Sequence, residues 1–228
     1  MDKQVLISEL LELQKTYQPN DAVRDRLSHI NLIAVVGPTG AGKSTLVRRA
    51  GLPFVIGDTT RAPRDGEIQG RDYNFRPDFL GMVDEIKRGE FVQYVVLRES
   101  EIYGTRASSY PASGACLMPI VSSALATFRQ LGFYTVTPVY IVPPNHTEWM
   151  RRISTHMDKD LESRLLEAKD SLREALSDSS YVFIINDDLE AAMTLLQAVV
   201  RGSVDQVASS RARASANTLY EHIQRVIR

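Results

Sequence analysis

Several features that define common protein classes are missing from this sequence of 228 residues. It contains one cysteine, Cys116, which excludes a disulfide framework and any multi-cysteine zinc site. No apolar run approaches the roughly 20 residues that a membrane-spanning helix needs. An excess of one charge is also lacking, because 27 Lys and Arg residues stand against 28 Asp and Glu residues. The net charge of −1 gives no basic field, and we expect no nucleic-acid partner.

The composition is that of an ordinary globular protein. Hydrophobic residues make up 43% and charged residues 24% of the chain, which excludes a wholly disordered protein. The N-terminal sequence MDKQVLISELLELQ is interrupted by Asp2 and by several Glu and Gln residues, where a signal peptide would be continuously apolar. We therefore expect a cytoplasmic protein without a membrane partner, and the sequence indicates no particular oligomeric state.

Apolar runs alternate with helical patterns along most of the chain. This alternation predicts an α/β fold, with a parallel sheet flanked by helices. The runs cover residues 31–37, 115–121, 137–142 and 181–185, and the helical patterns lie near 122–131, 146–156, 159–177 and 188–201. Residues 57–110 interrupt the rhythm, because they are rich in Arg, Gly and Pro. Short strand patterns at 72–75 and 91–97 predict that this segment is an inserted α+β subdomain.

Helical segments flank this predicted domain of residues 30–202 on both sides. Residues 1–29 are interpreted as an N-terminal extension with helices over 3–16 and 21–29. The apolar residues of its first helix recur at helical spacing: Val5, Leu6, Leu10, Leu11 and Leu13. Residues 203–228 form a C-terminal helical extension that carries Arg211, Arg213, Arg225 and Arg228. We favour a packing or solvated helix there, and a subunit or RNA contact is the alternative.

A phosphate-binding loop follows the first apolar run. Residues 37–44, GPTGAGKS, match the pattern G-x-x-x-x-G-K-[ST] at every fixed position, between a strand and a helix. Glycines let successive backbone N–H groups point at phosphate oxygens, and the following helix adds its positive end. Lys43 would reach the β- and γ-phosphates of ATP, and the Ser44 hydroxyl would bind Mg²⁺. The predicted nucleotide-binding residues of this loop are Gly37, Pro38, Thr39, Gly40, Ala41, Gly42, Lys43, Ser44 and Thr45.

A second cationic segment follows at residues 58–75. Arg61 and Arg64 are three residues apart and are separated by Pro63, which predicts a rigid fork for a second phosphate. Tyr73 adds a hydroxyl that can join the same phosphate.

This segment resembles the guanylate kinase family, whose pattern is T-T-R-x-P-R-x-G-E-x-x-G-x-D-Y-x-F. Further motifs similar to those of the family follow in the family's order, so the resemblance covers residues 31–201. These motifs are EFVQY at 90–94, IYGT at 102–105, IVPP at 141–144 followed by Arg152, ESRLLEA at 162–168 and INDDL at 185–189.

The resemblance implies an enzyme that transfers the γ-phosphoryl group of ATP to GMP or dGMP, with Mg²⁺. It also implies an inserted nucleoside-monophosphate subdomain and a mobile lid, here at about 150–162. By position, Arg61, Arg64 and Tyr73 would hold the acceptor phosphate, and Gln93, Tyr103 and Thr105 would face the acceptor. Arg152 and Arg164 would bridge the donor phosphates, and Asn186 would lie near the adenine. The implied catalytic residues are Lys43, Arg61, Arg152 and Arg164.

Four positions depart from the family pattern. Gln93 replaces the carboxylate that reads the base, and Gly57 replaces the first serine before the T-T-R motif. The family's D-x-D falls on Pro119 and Val121. The lid is several residues shorter, with His156 near a family arginine. Asp58, Ser122 and Ser123 are the candidates for the missing guanine acceptor.

Three alternatives remain beside a kinase for a guanine nucleotide. The first is a kinase of the same architecture for another phosphorylated acceptor. The second is a non-catalytic interaction module, which the lost carboxylates and short lid favour and which the intact Lys43 and Ser44 oppose. The third, a tRNA prenyl-transferring enzyme, accounts for residues 37–44 and for nothing after them.

Overall fold

The chain forms two compact units in the computed structural model, which describes residues 2–97, 100–154 and 161–227. The first unit comprises residues 1–31, 53–114 and 129–134, and the second comprises residues 32–52, 115–128 and 135–228. The strands are β1 Ile30–Val36, β2 Asp58–Thr59, β3 Asn74–Phe75, β4 Phe91–Leu97, β5 Glu101–Arg106, β6 Gly114–Pro119, β7 Thr135–Val142 and β8 Val182–Ile185. The α-helices are α1 Lys3–Gln14, α2 Asp21–Leu27, α3 Lys43–Arg49, α4 Phe79–Lys87, α5 Leu125–Phe128, α6 His146–Ser154, α7 Leu161–Ser177, α8 Leu189–Val200 and α9 Gln206–Val226.

The second unit is built on a parallel sheet with the strand order β6-β1-β7-β8. Its strands are almost wholly apolar, because helices cover both faces of such a sheet. Strands β7 and β8 run parallel, with Val139 opposite Val182. The predicted α/β fold is thus confirmed. Cys116 on β6 is buried in the core, where burial raises the pKa of its thiol to about 12.

Helix α9 packs against β8 and α7 in the second unit. The hydroxyl of Ser209 accepts a hydrogen bond from the backbone N–H of Phe183 at 3.0 Å. Arg213 lies over the Phe183 ring and donates to the Leu176 carbonyl at 2.6 Å. One of the four arginines of the C-terminal segment therefore serves packing within the chain.

The first unit contains a mixed sheet with the strand order β3-β2-β5-β4. Strand β5 pairs antiparallel with both β2 and β4, and β2 pairs parallel with β3. The strand patterns at 91–97 and 72–75 predicted β4 and, with two residues too many, β3, whereas β2 and β5 gave no recognised pattern. Strand β2 has two residues, and Gly104 interrupts the apolar pattern of β5. A Cβ at Gly104 would lie 2.7 Å from the Gln93 carbonyl oxygen, so the close approach of the two strands requires glycine.

The helices predicted as an N-terminal extension share a core with the first unit. Leu6, Ile7 and Leu10 of α1 are buried among apolar residues of α4, β4 and β5. Val5 and Leu11 are exposed, although the helical spacing had placed them on the apolar side. The reason is that the buried stripe of α1 is narrow and includes Ile7. Among the described residues, no helix is both long enough and apolar enough to cross a membrane.

Candidate active site

The phosphate-binding loop lies between β1 and α3, as the sequence predicts, and packing requires its glycines. Gly42 precedes α3 with φ +89°, and a Cβ there would overlap the side-chain amide of Asn186. A Cβ at Gly37 would lie 2.5 Å from the carbonyl oxygen of Ile141 on β7. Larger residues at these two positions would push the loop off the sheet.

Side chains of other elements hold the loop through its carbonyl groups. The indole N–H of Trp149 donates to the Thr39 carbonyl, and the Asn186 amide donates to the Ala41 carbonyl, both at 2.8 Å. The ammonium group of Lys43 donates to the Pro38 carbonyl at 3.0 Å and to that of Gly37. Trp149 is fully buried, and Asn186 is nearly so. The loop is thus fixed from α6 and from the end of β8.

A cavity of about 820 Å³ opens above the loop, within the usual size range for a nucleotide-sized ligand. Four basic side chains and one acidic side chain, that of Asp187, line it, which suits a polyphosphate. The basic residues are Lys43, Arg151, Arg152 and Arg164. The remaining lining residues are Thr39, Gly40, Gly42, Ser44, Thr45, Ile153, Asn186 and Leu189.

Burial lowers the pKa of Lys43 to about 8, and the nearby Glu167 opposes this effect in part. Desolvation disfavours the charged form of a lysine, and phosphate oxygens would restore that form.

Ser44 is exposed at the start of α3 and lines the same cavity. Its hydroxyl is a hard oxygen ligand of the kind that Mg²⁺ prefers, so the donor set fits this ion.

An ion-pair network orders the arginines of α6. The carboxylate of Glu148 accepts from Arg151 and from Arg152, each at 2.8 Å, and these contacts lower its pKa to about 2, with Arg151 contributing most. Arg164 of α7 points a guanidinium N–H at the Ile153 carbonyl at 3.4 Å. Arg151 also lines the cavity but was not among the predicted site residues, since its position next to Arg152 is its only signal in the sequence. His156 and the middle of the predicted lid lie outside the described residues.

In the first unit, three predicted acceptor residues belong to one face of the mixed sheet. Gln93 pairs with Thr105, and Val95 pairs with Tyr103, so these four side chains share a face. The Tyr73 ring lies 5.8 Å from the Tyr103 ring at a steep angle, which adds a fourth predicted residue to the group.

Arg61 is held on this face by Glu67. The two groups form a bidentate ion pair with N–O distances of 2.6 and 2.7 Å, and the Arg61 Nε donates to the Tyr103 hydroxyl at 2.9 Å. The Ala62 carbonyl takes a further N–H, so four of the five guanidinium N–H groups have acceptors among the described residues. The Arg61 guanidinium, followed by the backbone N–H of Arg64, lowers the pKa of Glu67 to about 2.

The described contacts do not join the Arg61 and Arg64 side chains in a fork, and their binding of the acceptor phosphate stays a prediction. The Arg64 side chain is exposed, and only its backbone N–H, which donates to Glu67 at 2.8 Å, joins the group. The Glu67 carboxylate accepts from the Arg61 guanidinium and from the Arg64 backbone N–H, so it compensates the positive charge of Arg61. The sequence analysis missed Glu67, although the glutamate of the quoted G-E-x-x-G pattern is a signal for it.

Two other acceptor residues also differ from expectation. Thr105 is buried, and its hydroxyl shares a 2.9 Å hydrogen bond with the Tyr110 hydroxyl. Asp58 lies on the opposite face of the sheet and is completely buried. Its carboxylate contacts Arg106 at 2.7 Å and Arg76 at 3.3 Å. Asp58 thus does not reach the face of Gln93, because successive residues of a strand point to opposite sides.

Comparison with known proteins assigns the family. A protein-family model described as "Guanylate kinase" matches residues 29–203. The chain belongs to the guanylate kinase family. It is 36% identical over 200 residues to a guanylate kinase of Dechloromonas aromatica, covering 82% of this chain and 96% of that protein. It is 35% identical over 171 residues to one of Bdellovibrio bacteriovorus, covering 70% and 90%. The solved guanylate kinase of Anaplasma phagocytophilum shares the fold, with a TM-score of 0.55 at 21% identity over 81% of this chain and 92% of that one.

Membership of the guanylate kinase family makes the protein a nucleoside-monophosphate kinase. The enzymatic interpretation of the sequence is confirmed, and the alternatives of another phosphorylated acceptor and of a non-catalytic interaction module are not favoured. Among the described residues, no group of three or more His, Cys, Asp or Glu side chains could hold a metal ion. Asp188 caps α8 by accepting from the Ala191 N–H at 2.8 Å, so this one of the two adjacent aspartates has a structural role.

Proposed function

We propose that this kinase transfers the γ-phosphoryl group of ATP to GMP or dGMP. The observation that carries the proposal is the common sheet face that holds Arg61, Tyr73, Gln93 and Tyr103 in the first unit. A cation, two phenols and an amide on one face suit an acceptor with a phosphate and a purine edge. The polyphosphate cavity of the second unit supports the donor half of the reaction.

On the donor side, the chain binds phosphates chiefly through charge and backbone N–H groups. Residues 37–44 would surround the β-phosphate, and Lys43 would contact the transferring group. Mg²⁺, when bound through Ser44, supplies positive charge that neutralises the phosphate oxygens. Asn186 and Trp149 hold the loop through its carbonyl groups, which fixes the backbone that would surround the phosphate.

The transferring group itself needs positive charge rather than a nucleophilic side chain. Phosphoryl transfer passes through a loose transition state, in which charge spreads over the equatorial oxygens. Arg152 and Arg164 line the same cavity as Lys43 and would stabilise that charge. Glu148 accepts from the Nε of Arg152 and so holds this guanidinium in position beside the cavity.

On the acceptor side, the GMP phosphate would compete with Glu67 for Arg61. The guanidinium is already oriented, so binding exchanges one anion for another without reorganising the side chain. Gln93 would face the guanine edge, where its carbonyl oxygen accepts from one ring donor. The amide serves one of the two adjacent guanine donors, whereas a carboxylate would serve both.

The direct test is ADP formation from ATP and Mg²⁺ with a panel of acceptors: GMP, dGMP, IMP, AMP, CMP and UMP. We expect GMP or dGMP to have the highest kcat/KM, with a raised KM and weak discrimination against IMP, which lacks the 2-amino group. A higher kcat/KM for AMP or for a pyrimidine nucleotide would contradict the guanine assignment. Turnover that persists without added Mg²⁺ in the presence of a chelator would contradict the metal requirement.

A further inference from the structure

Residues 2–20 lie outside the part of the chain that matches the guanylate kinase family, and yet they pack against the strand that carries Gln93. The family match begins at residue 29, whereas α1 spans Lys3–Gln14. The apolar side of α1 is buried against α4, β4 and β5. An ion pair at 2.6 Å also joins Glu9 to Lys87 at the end of α4. The segment is thus an integral part of the first unit.

Three hydrogen bonds connect this segment to β4 on both sides of Gln93. The Tyr17 hydroxyl donates to the Phe91 carbonyl at 2.7 Å. The Tyr94 hydroxyl donates to the Leu10 carbonyl at 2.7 Å, and the Val96 N–H donates to the side-chain oxygen of Gln14 at 2.9 Å. Strand β4 lies at the edge of its sheet, where backbone groups lack a neighbouring strand. The N-terminal segment supplies partners for these groups.

The contact of Tyr17 falls where β4 is irregular. The pairing of β4 with β5 shifts register between Phe91 and Gln93, as at a β-bulge. A bulge changes the direction of the side chains that follow it. The orientation of Gln93 therefore depends on the geometry of this bulge, and the Tyr17 hydroxyl is bound to the carbonyl at its start.

Packing fixes the direction of the Tyr17 hydroxyl. The Tyr17 ring meets the Tyr94 ring edge to face, with 4.9 Å between the centroids. Burial raises the pKa of Tyr17, so its hydroxyl remains a donor throughout the physiological range. Neither ring belongs to the face that carries Gln93 and Tyr103, so Tyr17 would act on the acceptor only through β4.

We propose that Tyr17 is a positioning residue for acceptor binding, because its hydroxyl holds the bulge of β4 that sets the direction of Gln93. This inference rests on the proposed function, in which Gln93 faces the acceptor base. It assigns a role in substrate recognition to a segment that precedes the family domain.

The test is the full-length Tyr17→Phe variant, which removes one hydroxyl and keeps the packed ring. Tyr134→Phe is the matched control, since Tyr134 lies in the same unit and is 72% exposed. We expect the KM for GMP to rise about threefold to tenfold, the effect of one neutral hydrogen bond, while kcat and the KM for ATP change less than twofold. Amide hydrogen exchange at Val92, Gln93 and Tyr94 should accelerate in the variant and stay unchanged in the control.

Gln14→Ala provides a second variant, because it removes the bond to Val96 without touching an aromatic ring. An unchanged KM for GMP in Tyr17→Phe would overturn the proposal, as would an equal rise of the KM for both substrates. Unchanged exchange in β4, which is measured without substrate, would also overturn it. A wild-type protein that does not phosphorylate GMP would instead contradict the proposed function, and the exchange experiment would still decide whether Tyr17 holds the strand.

Discussion

The phosphate loop of the second unit and the acceptor face of the first unit keep different amounts of the family pattern, although the second unit also lacks the family's D-x-D at Pro119 and Val121. In the second unit, the phosphate loop matches its motif at every fixed position, and neighbouring side chains hold its carbonyl groups. In the first unit, Gln93 and Gly57 replace the residues of the family pattern, and the Glu67 carboxylate forms an ion pair with the Arg61 guanidinium. A polyphosphate donor is bound by backbone N–H groups, which need one fixed loop geometry. The acceptor is bound by side chains, and single side chains can be replaced without changing the backbone.

Loss of the Lys43 ammonium group is the strongest test of the donor half. Lys43→Ala should lower kcat by at least about 10³-fold, because it removes positive charge from the transferring phosphoryl group. Lys15→Ala is the matched control, since the Lys15 side chain is exposed and its ammonium group pairs with the exposed Glu12. Circular dichroism should show an unchanged fold in both variants. Near-normal turnover of Lys43→Ala would refute the role given to the loop.

Arg61 allows the same test of the acceptor half. Arg61→Lys should raise the KM for GMP by about 10- to 100-fold and change the KM for ATP little, because a point charge cannot replace a bidentate contact. Arg71→Lys is its control, with a half-exposed arginine of the same segment that pairs with Asp72. Steady-state kinetics with each substrate varied in turn gives both constants. An equal loss for the two substrates would show that Arg61 supports the fold rather than the acceptor.

The substitution of Gln93 by the glutamate of the family pattern tests the acceptor half by a gain of binding instead of a loss. Gln93→Glu should lower the KM for GMP by about tenfold, because a carboxylate accepts from both guanine donors and its hydrogen bonds are charge-assisted. The KM for ATP and the rate with IMP should change less, since IMP lacks the second donor. The ratio of kcat/KM for GMP and IMP measures this effect. If the substitution left this ratio unchanged, the guanine base would not be bound at Gln93.

The pH dependence of ATP binding is the smallest expected effect, and it concerns the donor site only. Lys43 binds phosphates in its charged form, and its pKa is lowered to about 8. Affinity for ATP should therefore be highest near pH 7 and fall several-fold as the pH rises through 8, where Lys43 loses its proton. Titration calorimetry in two buffers should detect proton uptake at that pH. Adenosine, which has no phosphate, should show no such dependence.

Sequence patterns predicted the second unit better than the first for a physical reason. The strands of the parallel sheet are continuous apolar runs, and the motif of residues 37–44 depends on backbone conformations that only glycine adopts easily. The first unit depends on pairing between residues far apart in the chain. Glu67 was missed because the motif contains the glutamate but does not show that its carboxylate pairs with Arg61. Asp58 was misassigned, because a strand of two residues has too little alternation to show which face a side chain occupies.

The N-terminal helix was separated from the domain for a related reason. Its helical spacing was visible, but spacing does not tell which partner a helix covers. The contacts of Tyr17 and Gln14 with β4 are made across more than 70 residues of chain. Such contacts follow from tertiary packing, on which local patterns carry no information.

The bond between Trp149 and the Thr39 carbonyl has a practical consequence. Trp149 is the single tryptophan of the chain, so all indole fluorescence of the protein originates next to the phosphate loop. Any movement of the loop when a nucleotide enters alters the hydrogen bond that the excited indole makes. The wild-type protein therefore contains a built-in optical reporter of donor-site occupancy, which permits stopped-flow measurement of nucleotide arrival and departure without a dye or a labelled substrate.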